Sequence, residues 1–264
     1  MVKILDIDIY SKDILSAVTH VVSLILSNQS KGNRLISATN AHGIITAKED
    51  KDFKNVLNDF YYNLPDGMPC VWIGKLKGAK QMKRCYGPDF FAMMMRYSAD
   101  KPVKHFFCGG KDGVAFELKN ACAEKFCNYN IVGTYCPSFD EINDEELKLV
   151  GRHITKSQAN IVWIGISTPK QERFAYRLRD FTKVDFIIAV GAAFDFHTGR
   201  VKQAPHWMQQ SGLEWLFRLL MEPKRLFRRY ARVVPAFVFY NLKELLANTA
   251  KRIRLLFVKL SAKT

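Results

Sequence analysis

The stretch VKHFFCGGKDGVAFELKNACAEKF, residues 103–126, decides the fold class of this 264-residue chain. Val103–Cys108 predicts a strand, Gly109–Gly113 a glycine-rich turn, and Val114–Phe126 a helix with apolar residues at helical spacing. A strand that passes through a tight turn directly into a helix is the repeating unit of a parallel sheet with crossover helices. We therefore asked whether the same unit recurs on both sides of this stretch.

The unit recurs along most of the chain. Strands are predicted over Val2–Ile9, Arg34–Thr39, Ile131–Tyr135, Ile161–Ile166 and Phe186–Val190, and helices over Lys12–Ser27, Asp50–Tyr62, Pro88–Tyr97, Asp144–Thr155 and Lys170–Arg179. Leu64–Gly67 is expected to be a loop before the apolar segment Cys70–Ile73. The pattern predicts an α/β, Rossmann-like, mostly parallel sheet with helices on both faces. Ligands of such sheets bind at the carboxyl ends of the strands, here the loops 39–43, 65–67, 109–113 and 165–172.

Positive charge is concentrated at the C-terminal end. The net charge is +15, and residues 200–264 hold 14 lysines and arginines but three acidic residues. We expect an α/β domain over 1–199 and a helical appendage over 200–264. A helix beginning near Ser211 would place Leu213, Leu216, Phe217 and Leu220 on one side, and Arg225, Arg228, Arg229 and Arg232 would share a face if it continues past Pro223. Such an element can lie on a bilayer and hold phosphates.

The N-terminus and the cysteines indicate a cytosolic protein. MVKILDIDIY lacks the basic region and long apolar run of a signal peptide, and no apolar stretch reaches 18 residues. We therefore expect a chain made in the cytosol that does not cross the membrane. The six cysteines form no C-x-x-C pair, so we expect reduced thiols and no zinc site.

Two loops at the predicted carboxyl edge carry candidate chemistry. Gly109, Gly110 and Gly113 follow a strand and open a helix, an arrangement that lets backbone N–H groups approach a diphosphate. A tight structural turn explains the same glycines. Asp66, in the turn Leu-Pro-Asp-Gly, is either a positioned general base or an ordinary turn-capping carboxylate.

The remaining candidates are weaker. Lys170 and Gln171 would stand at the sheet edge as ligand-binding residues, although helix capping explains their loop. Asp6 and Asp8 form a D-x-D pattern, which we interpret as polar positions on an edge strand. Asp195 and His197 are too few for a metal site, so none is predicted.

Together these segments resemble the TagA/WecG/CpsF glycosyltransferase family (glycosyltransferase family 26). The resemblance is carried in order, over about 190 residues, by Thr39–Gly43, Leu64–Gly67, Arg84 with Gly87–Asp89, Gly109–Gly113, Gly165–Glu172, Gly191–Asp195 with Gly199, and Ala204–Tyr230. It implies an inverting, metal-independent enzyme without a cofactor. Such enzymes move an N-acetylmannosamine-type sugar, its uronic acid or glucose from UDP to a polyprenyl-diphosphate-linked saccharide in cell-surface polysaccharide synthesis.

The resemblance also assigns roles to residues. Asp66 matches the proposed catalytic base, and Asn40, Arg84 and Gln171 match polar positions of the pocket. Arg225 and either Arg228 or Arg229 match arginines of an appendage that closes the site at an anionic membrane surface, on the cytoplasmic face. Thr39 directly precedes Asn40 where many members have Thr-x-Asn, so either Thr39 or His42 is expected to take the threonine's role. The sequence leaves the oligomeric state open, and a homo-oligomer is compatible with it.

Two other classes of protein would use the same segments differently. An NAD-dependent oxidoreductase would use Gly109–Gly113 for pyrophosphate, but the next strand ends at Gly133–Tyr135 without the expected acid, and none follows before Asp140. A basic nucleic-acid-binding protein would interleave exposed aromatics with its basic residues. Here Trp215, Phe217 and Phe227 belong to an amphipathic stripe, so no nucleic-acid partner is expected.

Overall fold

The computed structural model describes residues 1–29, 32–136 and 143–261, with the backbone alone described at 206 and 249–261. The described residues form one sheet of eight strands in the order β1-β2-β4-β3-β8-β7-β5-β6. The strands are β1 (Val2–Ile4), β2 (Ile7–Ile9), β3 (Arg34–Thr39), β4 (Tyr62–Pro65), β5 (His105–Gly109), β6 (Ile131–Tyr135), β7 (Ile161–Gly165) and β8 (Phe186–Ala189). Among these described strands, only the β1–β2 pair is antiparallel. The predicted Rossmann-like α/β fold is confirmed.

Helices cover both faces of this sheet. They are α1 (Ile14–Leu26), α2 (Ala41–Glu49), α3 (Lys51–Asn58), α4 (Met68–Leu76), α5 (Gly87–Ser98), α6 (Val114–Phe126), α7 (Asp144–Ser157), α8 (Lys170–Leu178), α9 (Ala193–His197), α10 (His206–Gln210), α11 (Glu214–Met221) and α12 (Pro223–Ser261). Alternate strand residues enter two separate cores, as with Leu35 and Ile36 in β3. One core packs against α1, α5 and α6, and the other against α2, α3, α7 and α8.

The N-terminal segment is a hairpin, so the prediction of one strand over Val2–Ile9 is wrong. Leu5 and Asp6 have positive φ angles of 47° and 69° and turn the chain between β1 and β2. Asp6 therefore lies in the turn and not on an edge strand, and its carboxylate pairs with Lys54 at 2.9 Å. Asp8 does lie in a strand, β2, within 3.8 Å of the Lys3 ammonium group.

The region 40–65 differs from the predicted turn, helix and loop. The Asn40 side chain caps α2, which begins at Ala41, and the Asp50 side chain caps a separate helix α3 by accepting from Phe53 N–H. The helix predicted over Asp50–Tyr62 is shorter and runs from Lys51 to Asn58. The predicted loop at Leu64–Gly67 begins inside β4, because Tyr62–Pro65 pairs in parallel with β3. The apolar segment Cys70–Ile73 belongs to α4.

The C-terminal helices are broken between Met221 and Pro223. The helix predicted from Ser211 begins at Glu214 and ends at Met221, because Glu222 leaves the helical conformation with φ −135° and ψ 57°. Pro223 opens α12, since proline is tolerated in a first helical turn. The helix predicted from Ser211 therefore does not continue past Pro223, and although Arg225, Arg228, Arg229 and Arg232 all lie in α12, Arg228 lies outside the cavity that Arg225 and Arg229 line. The buried residues Val233 and Phe237 of α12 join the core that contains α2 and α3.

Within the residues that the structure describes, no helix is both long enough and apolar enough to cross a bilayer.

Candidate active site

A cavity of about 310 Å³ lies at the carboxyl edge of the sheet, where the C-terminal helices pack over it. Loops after β3, β4, β7 and β8 form its floor and walls. Its polar and charged lining consists of Asn40, His42, Asp66, Tyr86, Ser167, Thr168, Gln171, Asp195, Arg218, Glu222, Arg225 and Arg229. The cavity therefore combines carboxylates from the α/β part with guanidinium groups from α11 and α12.

Asp66 directly follows β4 and is held by the segment 84–87. Cys85 N–H donates to the Pro65 carbonyl at 2.9 Å, and Arg84 Nε donates to the Asp66 carbonyl at 2.7 Å. Gly87 N–H donates to Asp66 Oδ1 at 2.9 Å. A side chain at Gly87 would lie 2.7 Å from the Val190 carbonyl oxygen, so a glycine is needed to bring this N–H close. These contacts fix both the backbone and the carboxylate of Asp66.

Burial makes this carboxylate more basic. Removal from water raises the pKa of Asp66, against the opposing effects of Arg84 and the Gly87 N–H group. Asn40 Nδ2 approaches the second oxygen, Oδ2, at 3.4 Å. A fixed carboxylate with a raised pKa at a cavity edge can accept a proton from a hydroxyl group.

Among the side chains that the structure describes, three guanidinium groups face the cavity from the C-terminal helices, those of Arg218, Arg225 and Arg229. Arg225 Nε donates to Glu222 at 2.6 Å, while Arg218 Nε is buried without a hydrogen-bond partner among the described residues. Burial and the neighbouring charges of Arg225 and Arg218 lower the pKa of Arg229. Such crowding of like charges is relieved when an anion binds, and guanidinium groups match phosphate oxygens in geometry.

Gln171 is fixed in the opposite wall. Its Oε1 accepts from Gly191 N–H at 2.9 Å, and its Nε2 donates to Glu172 Oε1 at 2.9 Å. The same Glu172 oxygen accepts from Ser37 and Thr168. Burial raises the pKa of Glu172. This network ties the loop after β7 to the loop after β8.

His42 lines the cavity and Thr39 does not. The Thr39 hydroxyl donates to Asn63 Oδ1 at 3.1 Å and is buried below the surface. Burial, together with the charges of Arg229 and Arg232, lowers the pKa of His42 to about 4. The imidazole is therefore neutral at pH 7, and its Nδ1 is buried without a partner in the described part of the chain.

Several predicted site residues lie outside the cavity lining. Lys170 and Arg228 are exposed, and Arg84 is largely buried in an ion pair with Glu214. The glycine loop Gly109–Gly113 also lies outside the cavity lining. It follows β5, which is separated from β8 by β7 in the sheet. Gly109 is explained by packing, since a side chain there would lie 2.8 Å from the Gly165 nitrogen. Gly110 N–H donates to the Gly165 carbonyl at 3.0 Å, and Gly113 turns the chain into α6 with φ 83°.

Six polar or charged lining residues were not among the predicted site residues: Tyr86, Ser167, Thr168, Asp195, Arg218 and Glu222. Asp195 follows β8, so its loop is a fifth loop at the carboxyl edge of the sheet. Counting this loop among the ligand-binding loops would have predicted Asp195. Burial raises the pKa of this carboxyl group, against the effects of Arg200 and Lys111. Arg218 and Glu222 lie on the turns just before the predicted arginine face of α12.

Comparison with known proteins identifies the family. The sequence model described as "Glycosyl transferase WecG/TagA/CpsF family" matches residues 2–251. The chain belongs to this glycosyltransferase family. The match includes α11 and the first part of α12, so the cavity arginines lie within the family region. Membership in this family leaves the oxidoreductase and nucleic-acid-binding alternatives without support.

Two relatives in the WecG/TagA/CpsF family have the same printed name, N-acetylglucosaminyldiphosphoundecaprenol N-acetyl-beta-D-mannosaminyltransferase. The protein from Bacillus subtilis (strain 168) is 28% identical over 210 residues, which is 80% of this chain and 79% of the relative. The protein from Bacillus spizizenii (strain ATCC 23059 / NRRL B-14472 / W23) is 28% identical over 237 residues, 90% of this chain and 89% of the relative.

Proposed function

We propose that this glycosyltransferase moves an N-acetylmannosamine-type sugar from UDP to a polyprenyl-diphosphate-linked saccharide in cell-envelope polysaccharide synthesis. A uronic acid of that sugar and glucose are the other donors that its family resemblance implies. Two relatives named as N-acetylmannosaminyltransferases acting on N-acetylglucosaminyldiphosphoundecaprenol support the sugar and the acceptor class. The observation that carries the proposal is the position of Asp66 and three cavity arginines around one space.

In the proposed reaction Asp66 is the general base. It takes the proton of an acceptor hydroxyl, whose oxygen bonds to the anomeric carbon of the donor from the face opposite UDP. The bond from that carbon to the diphosphate oxygen breaks, and its electron pair leaves with UDP. The configuration at the anomeric carbon is therefore inverted. A base positioned in this way contributes a rate factor of roughly 100 to 10,000.

The departing diphosphate is assigned to Arg218, Arg225 and Arg229, without a metal ion. Guanidinium groups aimed at developing negative charge stabilise such a transition state most where water is excluded. Among the described residues, no three His, Cys, Asp or Glu side chains come together as metal ligands would. In this proposal the three arginines supply the positive charge that a metal ion would otherwise bring to the diphosphate.

A membrane surface on the cytoplasmic side is the proposed location. One side of α12 exposes a row of large apolar residues, namely Phe227, Val234, Val238, Phe239, Leu242 and Leu246. The positive charge of residues 200–264 adds roughly 1 kcal/mol of attraction for each lysine or arginine near an anionic bilayer. Docking there would bring the cavity next to a lipid-linked acceptor.

The experiment is a UDP-release screen over a panel of UDP-sugars, with a polyprenyl-diphosphate-linked N-acetylglucosamine analogue as acceptor. We expect acceptor-dependent release with UDP-N-acetylmannosamine, and a product of inverted configuration by NMR. Cosedimentation should detect binding to anionic liposomes and none to RNA. A panel in which no UDP-sugar gives acceptor-dependent release, or a product of retained configuration, would refute the proposal.

A further inference from the structure

One buried ion pair connects the C-terminal helices to the loop that carries Asp66. Arg84 Nε donates to the Asp66 carbonyl at 2.7 Å, and its NH2 group contacts the carboxylate of Glu214. Glu214 is the first residue of α11. A single guanidinium group therefore touches the backbone of Asp66 on one side and a C-terminal helix on the other.

Both partners of this pair are withdrawn from water. The side chains of Arg84 and Glu214 are 16% and 10% exposed, and the Arg84 guanidinium also lies over the Tyr86 ring at 4.1 Å. A buried charge that loses its partner is strongly destabilised, so each charge requires the other. The contact also requires α11 to be packed in place, because Glu214 comes from that helix.

We propose that Glu214 is a positioning residue, which holds Arg84 against the Asp66 carbonyl and so makes the geometry of the base depend on the docked C-terminal helices. The inference rests on the proposed function, in which Asp66 is the base. Arg84, which the family resemblance places among the pocket residues, acts in this account through Asp66 and not on the substrate. A displacement of about 1 Å at a reacting group can cost roughly 100-fold in rate, so loss of the pair should be visible in turnover.

The charges around Asp66 provide a second readout. The charged groups that face it are Arg84, Arg218 and Glu214, together with the Gly87 N–H group, and the titratable side chains of Cys70, Cys85 and Tyr86 also lie near it with raised pKa values. The negative charge of Glu214 raises the pKa of Asp66, whereas the two arginines lower it. Removing the charge of Glu214 should therefore lower this pKa. Since the deprotonated form is the active base, the rise of kcat/KM with pH should shift to lower pH.

The test compares Glu214→Gln with the matched control Glu244→Gln. Glu244 also ties a C-terminal helix to the α/β part, through Lys77 directly after α4 at 2.6 Å, but it does not touch the loop of Asp66. For Glu214→Gln we expect kcat to fall roughly 10- to 100-fold, with donor KM within about threefold and the acid limb at lower pH. For Glu244→Gln we expect kcat within about twofold and an unchanged limb.

A double-mutant cycle separates positioning from general structural damage. Since both side chains act through one contact, Arg84→Gln combined with Glu214→Gln should be no slower than Arg84→Gln alone. If Glu214→Gln does not fold, Glu214→Asp keeps the charge at a shorter reach. It should lower kcat about tenfold without moving the acid limb.

Three results would overturn the inference. They are a wild-type kcat in Glu214→Gln or Glu214→Asp, a loss in Glu214→Gln with an unmoved acid limb, and an equal loss in Glu244→Gln. The proposed function fails differently: it fails if no UDP-sugar gives acceptor-dependent release, and its assignment of the base fails if Asp66→Asn keeps full turnover. An inactive Asp66→Asn with a fully active Glu214→Gln would reject the positioning role and leave the proposed function standing.

Discussion

Replacement of Arg229 by glutamine, with Arg228→Gln as its matched control, tests how the cavity holds a diphosphate. The two arginines are neighbours on α12, but Arg229 is half-buried in the cavity wall and Arg228 is exposed outside it. Both changes remove one positive charge from the same helix. A difference between them therefore reports position and not net charge.

The expected magnitude follows from the contacts that each residue can make. A hydrogen bond to a charged group contributes about 1.5 to 3 kcal/mol, so loss of the Arg229 contact should weaken UDP binding roughly 10- to 150-fold. An exposed charge such as Arg228 contributes up to about 0.5 kcal/mol, a factor of about two. Without ligand, Arg229→Gln should not lower stability, because Arg225 and Arg218 already disfavour its charge.

Calorimetric titration measures the affinity for UDP, steady-state kinetics measure kcat/KM, and thermal unfolding measures stability without ligand. We expect Arg229→Gln to lose affinity and kcat/KM together while Arg228→Gln stays close to wild type. Equal losses in the two variants would refute the assignment of Arg229 to the diphosphate. A larger loss in Arg228→Gln would place the anion on the outer face of α12.

Two further predictions concern buried titratable groups. Because the pKa of His42 in the folded protein is lowered to about 4, the unfolded chain takes up a proton at a higher pH than the folded protein does. The free energy of unfolding therefore falls as pH drops from about 6.5 towards 4. NMR should show this imidazole neutral from pH 8 to 5, and titration near pH 6.5 would contradict its burial. Glu172 gives stability the opposite dependence on pH. Burial raises the pKa of its carboxyl group, so the buried charge destabilises the fold above the ordinary pKa of 4.5. Glu172→Gln should therefore match or exceed the wild-type Tm at pH 8, and a Tm several degrees lower would show that the ionised form is preferred.

Local elements could be predicted where the apolar pattern is strong. Arg34–Thr39, Val114–Phe126 and Ile131–Tyr135 have the predicted bounds in the structure. The strand Tyr62–Pro65 was not predicted, because it has four residues and ends in proline, which is typical of a loop. Its pairing with β3 is a long-range contact, and no local pattern contains it.

The composition of the site depends on strand order, which the sequence does not carry. All loops at the carboxyl ends of parallel strands look alike in sequence. Gly109–Gly113 was therefore as plausible a ligand-binding loop as those that line the cavity. In the sheet β8 lies between β3 and β7, which brings Asp195 to the cavity and leaves the glycine loop beyond β7. The choice between Arg228 and Arg229 likewise depends on how α12 is rotated against α2.

Turnover by Asp66→Asn shows directly whether Asp66 is the base of the transfer reaction. The variant keeps a side-chain oxygen for the Gly87 N–H group and leaves the contact of Arg84 with the backbone carbonyl unchanged, so the loop should keep its geometry. We expect acceptor-dependent UDP release to fall roughly 100- to 10,000-fold, about 3 to 5 kcal/mol in the barrier, with UDP affinity within about threefold. Wild-type turnover by this variant would contradict the account.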